Sequence, residues 1–131
     1  MEIRTYRKSD DEEKLIEMIR KEEGWGYADD NMSEKYKSAL VNSITYVAYE
    51  EDVLCGFSRS VNDNGIYVYV CDLLVSPEFR GRNIGRMLME CIYKDRPDQV
   101  VYVMSDVDEY YNKVGYIREG SVFKVKYPDK N

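Results

Sequence analysis

A chain of 131 residues with 44% apolar side chains can bury a core without staples and has a globular composition. Its 19 basic and 25 acidic residues give a net charge of −6, and the absence of histidine removes Ser-His-Asp, Cys-His and all other imidazole-based catalysis. Cys55, Cys71 and Cys91 include no CxxC pair and offer no zinc ligand set, and the acidic balance favours a cationic small molecule or peptide over nucleic acid as partner.

The cysteines sit in apolar stretches, which reads as buried thiols in a reducing compartment. The start, MEIRTYRKSDDEEK, is too charged for a signal peptide. No apolar run reaches the ~18 residues of a bilayer span. A cytoplasmic protein with no membrane partner, folded as one domain over residues 1–131, is expected.

In chain order, Glu2–Arg7 reads as a short strand. Ser9 and Glu12 fit a capping box, and Leu15, Ile16, Met18 and Ile19 mark one face of a helix that ends near Gly24. A loop with Trp25 and Tyr27 leads to a second helix from about Ser33, with Met32, Tyr36, Ala39 and Leu40 on one side. Ile44–Glu50 and Val53–Val61 form a hairpin across Glu51-Asp52, and Asp63-Asn64-Gly65 signals the next turn. Ile66–Val75 is apolar on both faces in its second half, as a central strand would be. Beyond the loop Ser76–Asn83, the residues Ile84, Met87, Leu88, Cys91 and Ile92 keep helical spacing. Val100–Met104 is a further strand, Asp106–Val114 a short acidic helix closed by Gly115, and Val122–Tyr127 an alternating final strand. The clusters Asp10–Glu13, Asp29-Asp30 and Glu50–Asp52 read as solvated caps and turns. The sum is an α+β fold in α/β/α layers, with a mixed, mainly antiparallel twisted sheet, a β-loop-α-β crossover at its centre and helices on both faces.

The chemistry concentrates in residues 72–86. A central strand feeds a glycine-containing loop that opens directly into an amphipathic helix. Free N–H groups and the dipole at a helix start attract an anion. Gly81 and Gly85 permit close backbone approach, and Asn83 tolerates positive φ. Arg80, Arg82 and Arg86 against Glu78 give residues 76–86 a charge of +2, while the rest of the chain carries −8. Cations are disfavoured at that end of a helix unless an anion is bound.

This segment resembles the GCN5-related N-acetyltransferases. Their signature, Arg/Gln-x-x-Gly-x-Gly/Ala, stands here as Arg80-Gly81-Arg82-Asn83-Ile84-Gly85, with Asn83 in place of the first signature glycine. A second stretch typical of the family, aromatic-Tyr-x-x-x-Gly-aromatic, stands as Tyr110 to Tyr116. The resemblance implies acetyl-CoA as co-substrate without a metal, and the family's acyl-CoA N-acyltransferase fold. By it, the backbone of Arg80, Gly81, Arg82, Asn83, Ile84, Gly85 and Arg86 cradles the pyrophosphate. Main-chain groups of Leu73, Leu74 and Val75, freed by a bulge, pair with the pantetheine arm. Tyr111 protonates the departing thiolate, and Asp72 lies beside the acceptor amine. Trp25 and Tyr27 line the acceptor pocket.

Each assignment has a plainer counterpart. Tyr111 is one of thirteen tyrosines, Asp72 fits a buried acid satisfied by amides, and Trp25 fits a plug at the core edge. Cys71 stands where the family often has glutamate, and it and Cys91 read as core residues. The function implied is direct acetyl transfer to a primary amine of a small molecule or peptide. The alternative is a catalytically silent acyl-CoA sensor or scaffold. An edge strand at Val122–Tyr127 would suit a homodimer.

Overall fold

One five-stranded sheet, in the order β1-β2-β3-β4-β5, separates two apolar cores. The computed structural model describes residues 1–105, 107–126 and 128. The strands are β1 (Glu2–Thr5), β2 (Ile44–Glu50), β3 (Val53–Asn62), β4 (Tyr67–Val75) and β5 (Val100–Val103). The helices are α1 (Lys8–Arg20), α2 (Ser33–Asn42), α3 (Ile84–Asp95) and α4 (Asp108–Lys113). Strands β1 to β4 pair antiparallel, and β5 runs parallel to β4. A parallel pair needs a crossover, and α3 supplies it. The expected layered α+β architecture is therefore present.

Leu15, Ile16 and Ile19 of α1 and Tyr36 and Leu40 of α2 pack with Val47, Phe57 and Leu74 on one face of the sheet. Ile84, Leu88 and Ile92 of α3 pack with Val68, Val70 and Cys55 on the other. Between these sets the register of β4 slips. Arg59 lies opposite Asp72, but Ser60 lies opposite Val70, so Cys71 is an extra residue on β4. A one-residue insertion inverts the inside-outside alternation of everything beyond it. Val68 and Val70 face α3, whereas Asp72 and Leu74 face α1 and α2. Without the bulge, the Asp72 carboxylate would point into the apolar core under α3.

Several expectations change. The first helix begins at Lys8 with Arg7 at its cap, and no side chain caps it, so Ser9 and Glu12 form no capping box. Asp11 reaches back instead, accepting the Arg7 amide at 2.6 Å. It is not solvated but fully buried, because Arg4 and Tyr49 converge on it. The helix ends at Arg20, before Gly24. Cys55 is buried, but Cys71 and Cys91 are only partly so, and all three are free thiols.

The last helix spans Asp108–Lys113, and Asp106 lies outside the described residues. The expected final strand is not formed over Val122–Lys126: Val122, Phe123 and Val125 are 73%, 86% and 93% exposed. Tyr127 lies outside the described residues. Alternation records fitness for a half-buried face, and here no neighbouring face covers the segment. The sheet ends at β5 instead. Among the described residues, no helix is long and apolar enough to cross a membrane.

Candidate active site

Strands β4 and β5 run together only from Tyr67↔Val100 to Val70↔Val103, with the Met104 amide adding a bond to the Val70 carbonyl at 3.0 Å. Beyond that point Leu73, Leu74 and Val75 pair with Ser58, Phe57 and Gly56 of β3, and among the described residues no strand pairs with their other edge. The two parallel strands thus part like a wedge. Gly56 keeps β3 close to β4 there, since a Cβ on it would lie 2.8 Å from the Leu74 carbonyl oxygen. A cleft at the end of β5 is lined by Ser105, Val107, Asp108, Glu109 and Tyr110.

The loop leaving β4 makes one 3₁₀ turn, Pro77–Phe79. It then turns through Gly81 at φ +86° and Asn83 at φ +63°. Asn83 is the cap of α3 but makes no side-chain capping bond. The amides of Ile84, Gly85 and Arg86 are thus presented by a left-handed cap rather than covered by its side chain, and the α3 dipole adds to their pull on an anion. Ile84 itself is a core residue, 2% exposed.

The three arginines are less bare than the local charge count suggests. Arg80 pairs with Glu22 at 2.9 Å and donates through Nε to the Val75 carbonyl at 3.0 Å. Arg86 pairs with Glu90 at 3.1 Å, and Arg82 lies over the Phe79 ring at 5.3 Å. Glu22, distant in sequence, and Glu90, one turn further along α3, offset part of the positive island. Half-exposed pairs of this kind contribute ~0–1 kcal/mol, so a phosphate can displace them at little cost.

On the opposite side of β4, Asp72 is 6% exposed. Its Oδ2 accepts Arg59 Nε at 2.6 Å and the Tyr36 hydroxyl at 2.7 Å. Neither bond uses Oδ1, which accepts no hydrogen bond from the described residues. Burial, reinforced by the Asp72 charge, drives the Tyr36 phenol well above its usual range, so Tyr36 is a fixed donor. Tyr27 stacks on Tyr36 with ring centres 4.3 Å apart, and Trp25 meets Tyr27 and Phe57 edge-on at 6.0 and 6.3 Å. The Tyr27 phenol is also raised, by burial first and then by Asp72, against the opposing effect of Arg59. Both rings pack on the α1/α2 core, as the plainer reading of Trp25 as a plug expects. Burial pushes the Cys71 thiol up, which is the wrong direction for a nucleophile.

Helix α4 brings Tyr110 to the start of α3. Tyr111 is 9% exposed, stacks on Tyr116 at 6.1 Å and meets Tyr110 edge-on at 5.1 Å. A Cβ on Gly85 would lie 2.8 Å from the Tyr110 hydroxyl and 3.4 Å from Leu73 Cδ2. Gly85 is therefore small because Tyr110 reaches over the start of α3, and not only because a phosphate needs access. Arg59, Glu22 and Tyr110 were not expected at the site from the sequence. Tyr36 was expected only as a core ring. A hydroxyl at the end of an apolar ring leaves no trace in a hydropathy pattern.

Comparison with known proteins agrees with this geometry. Residues 41–118 match the family model described as an acetyltransferase (GNAT) domain. The chain is 30% identical over 87 residues to the uncharacterized N-acetyltransferase ycf52 of Porphyra purpurea, covering 63% of this chain and 50% of that protein. It spans about half the length of the curated relatives it matches. The GNAT-family acetyltransferase SP0256 of Streptococcus pneumoniae superposes with a TM-score of 0.71 at 20% identity, over 96% of this chain and 100% of that one. The PaiA N-acetyltransferase of Thermoplasma acidophilum, solved with coenzyme A, gives 0.67 at 24% identity over 90% of each chain. These structures share the fold, and the family match extends over more than half of the sequence: the chain belongs to the GNAT acetyltransferase family.

Proposed function

We propose that this chain is an acetyl-CoA-dependent N-acetyltransferase that acts as one domain in a reducing compartment such as the cytoplasm. Its acceptor would be a primary amine of a small molecule or peptide, cationic before reaction. The observation that carries the reading is the wedge: a β4 edge that no described strand pairs over Leu73–Val75 and that leads into the left-handed start of α3, where Asn83 makes no side-chain cap. The residues present suit the co-substrate. Leu73–Val75 can pair with amide groups of a pantetheine arm, and the amides of Ile84, Gly85 and Arg86 can take a diphosphate. No metal is needed for this chemistry. Acetyl-CoA supplies an activated thioester.

The protein's residues divide the work by position. An amide near Leu73 or Leu74 polarises the thioester carbonyl. The amine attacks that carbon directly, forming the C–N bond as the C–S bond breaks. Tyr111 gives a proton to the leaving sulfur. Phenol at pKa ~10 and thiol at ~8.5 differ by about 2 kcal/mol, small enough for concerted donation. An alkylamine with pKa ~10.4 must lose a proton first, at about 4.6 kcal/mol near pH 7. Asp72, ion-paired to Arg59, is placed to orient the amine or an ordered water through Oδ1 rather than to act as an isolated base. Trp25 and Tyr27 wall the acceptor side.

The test is release of free thiol from acetyl-CoA with a panel of amines. Turnover should fall by ~10²–10⁴ in Tyr111→Phe while CoA affinity stays within a few-fold. Full activity in that variant would remove Tyr111 from the mechanism. Tight CoA binding with no thiol release for any amine would favour the sensor reading instead.

A further inference from the structure

We propose that Tyr110 is a cofactor-binding residue whose hydroxyl donates to the diphosphate at the start of α3. The inference rests on the acetyl-CoA reading above and adds to it a side-chain donor from α4. Three observations converge. The hydroxyl lies 2.8 Å from the position a Gly85 Cβ would take, over the second residue of α3. The same position is 3.4 Å from Leu73 Cδ2, so the hydroxyl sits near where the start of α3 meets the part of β4 that no described strand pairs beyond Val70. Tyr110 also lines the cleft at the end of β5 and remains 36% exposed, unlike its neighbour Tyr111 at 9%.

Electrostatics fit a phenol that stays a donor. Burial raises the Tyr110 phenol, while the backbone amide and the charge of Arg86 pull the other way and leave a net upward shift. The net shift keeps the phenol protonated, so its proton is available to an acceptor in front of the helix. A phenylalanine would keep the ring and lack only the oxygen that lies nearest Gly85. The hydroxyl adds a donor at the place where the helix already gathers N–H groups.

The test compares two ligands by titration calorimetry or ligand-detected NMR: coenzyme A, and pantetheine, which lacks the diphosphate. Tyr110→Phe should weaken coenzyme A on the order of 10-fold, the size of one hydrogen bond to a charged group. Pantetheine should bind the variant as it binds the parent. Gly85→Ala should weaken coenzyme A as well, because its methyl displaces the hydroxyl. In a Tyr110→Phe background the same change should cost less than in the parent, since the hydroxyl's share of the loss is already gone. Unchanged coenzyme A affinity in Tyr110→Phe, or equal losses for both ligands, would overturn the proposal and leave Tyr110 a packing residue. Failure of the parent protein to bind coenzyme A at all would overturn the acetyl-CoA reading and this inference together. Melting curves of each variant without ligand separate loss of fold from loss of the contact.

Discussion

Among the described residues two aspartates are buried, and each is held by one arginine side chain and one tyrosine hydroxyl. Asp11 is 0% exposed and Asp72 6%. The difference lies in how their oxygens are spent. Asp11 Oδ1 accepts Arg4 Nη2 at 2.8 Å and the Tyr49 hydroxyl at 2.6 Å, while Oδ2 accepts Arg4 Nη1 at 2.8 Å and the Arg7 amide at 2.6 Å. Both oxygens are committed, and they tie β1, the start of α1 and β2 together. Asp72 gives only Oδ2 to Arg59 and Tyr36. A saturated carboxylate is a structural clamp. A half-saturated one, placed by a bulge beside a wedge between strands, is oriented for something else. Arginine forks Asp11 with two nitrogens but meets Asp72 with Nε alone, and this leaves the second oxygen available.

The largest expected effect breaks the clamp. Asp11→Ala strands the Arg4 charge and removes four hydrogen bonds, a loss of about 3–5 kcal/mol. For a domain of this size that lowers Tm by roughly 10–20 °C. Asp72→Ala removes two bonds and should cost distinctly less in the same melting experiment. Equal losses would mean that the bonding difference has no energetic content.

Next in size is an effect on turnover alone. Asp72→Asn keeps the shape but removes the charge that the proposed mechanism sets beside the acceptor. Amine acetylation should fall on the order of 10- to 100-fold, about 1.4–2.7 kcal/mol of barrier, with CoA affinity unchanged. Asp11→Asn should leave the turnover of the folded fraction intact. If Asp72→Asn retains full turnover, Asp72 is a second clamp and the acceptor is held elsewhere.

The smallest effects are in pH dependence. Burial pushes the Asp11 carboxyl up, but Arg4, Tyr49 and the Arg7 amide more than reverse this, and its pKa lies below the usual value. Its contribution to stability is therefore complete above the unfolded pKa of ~3.9 and is lost as pH falls through the lower folded value. Denaturant titrations should show a shallower acid limb for Asp11→Asn than for the parent. The tyrosines of the two clusters act at the opposite end. Burial first, and then the adjacent carboxylate, raise Tyr36 and Tyr49 above their ordinary range. Their contribution is complete below ~10 and is lost as pH rises beyond it. Phenolate absorbance should show Tyr36 and Tyr49 ionising only as the fold is lost. Tyr6 and Tyr46, each pushed up to about 12, belong with them. Early ionisation of Tyr36 would show that its bond to Asp72 is not held in solution.

The elements with strong local signals were legible before the structure. Ile44–Glu50 is a strand with those bounds, and the Asp63-Asn64-Gly65 turn joins β3 to β4. Helix α3 keeps an apolar face because its spacing never misses, and the positive φ of Asn83 follows from the few side chains that accept it. The Val122–Lys126 alternation misled for the converse reason. Strand propensity is local, but a strand exists only where a neighbour offers an edge and a face.

By itself the sequence determined the order of elements as far as α4, the crossover through α3, the family motifs and the loop from Asp72 to Arg86, because propensity, periodicity and turn chemistry act over a few residues. The tertiary structure alone decided which carboxylate oxygens are free, that Arg59 and Tyr36 meet Asp72, that Glu22 pairs with Arg80, and that Tyr110 reaches over Gly85. The insertion of Cys71 into β4 decided which way Asp72 faces. Such outcomes depend on register and on contacts across tens of residues, and no window of sequence contains both partners.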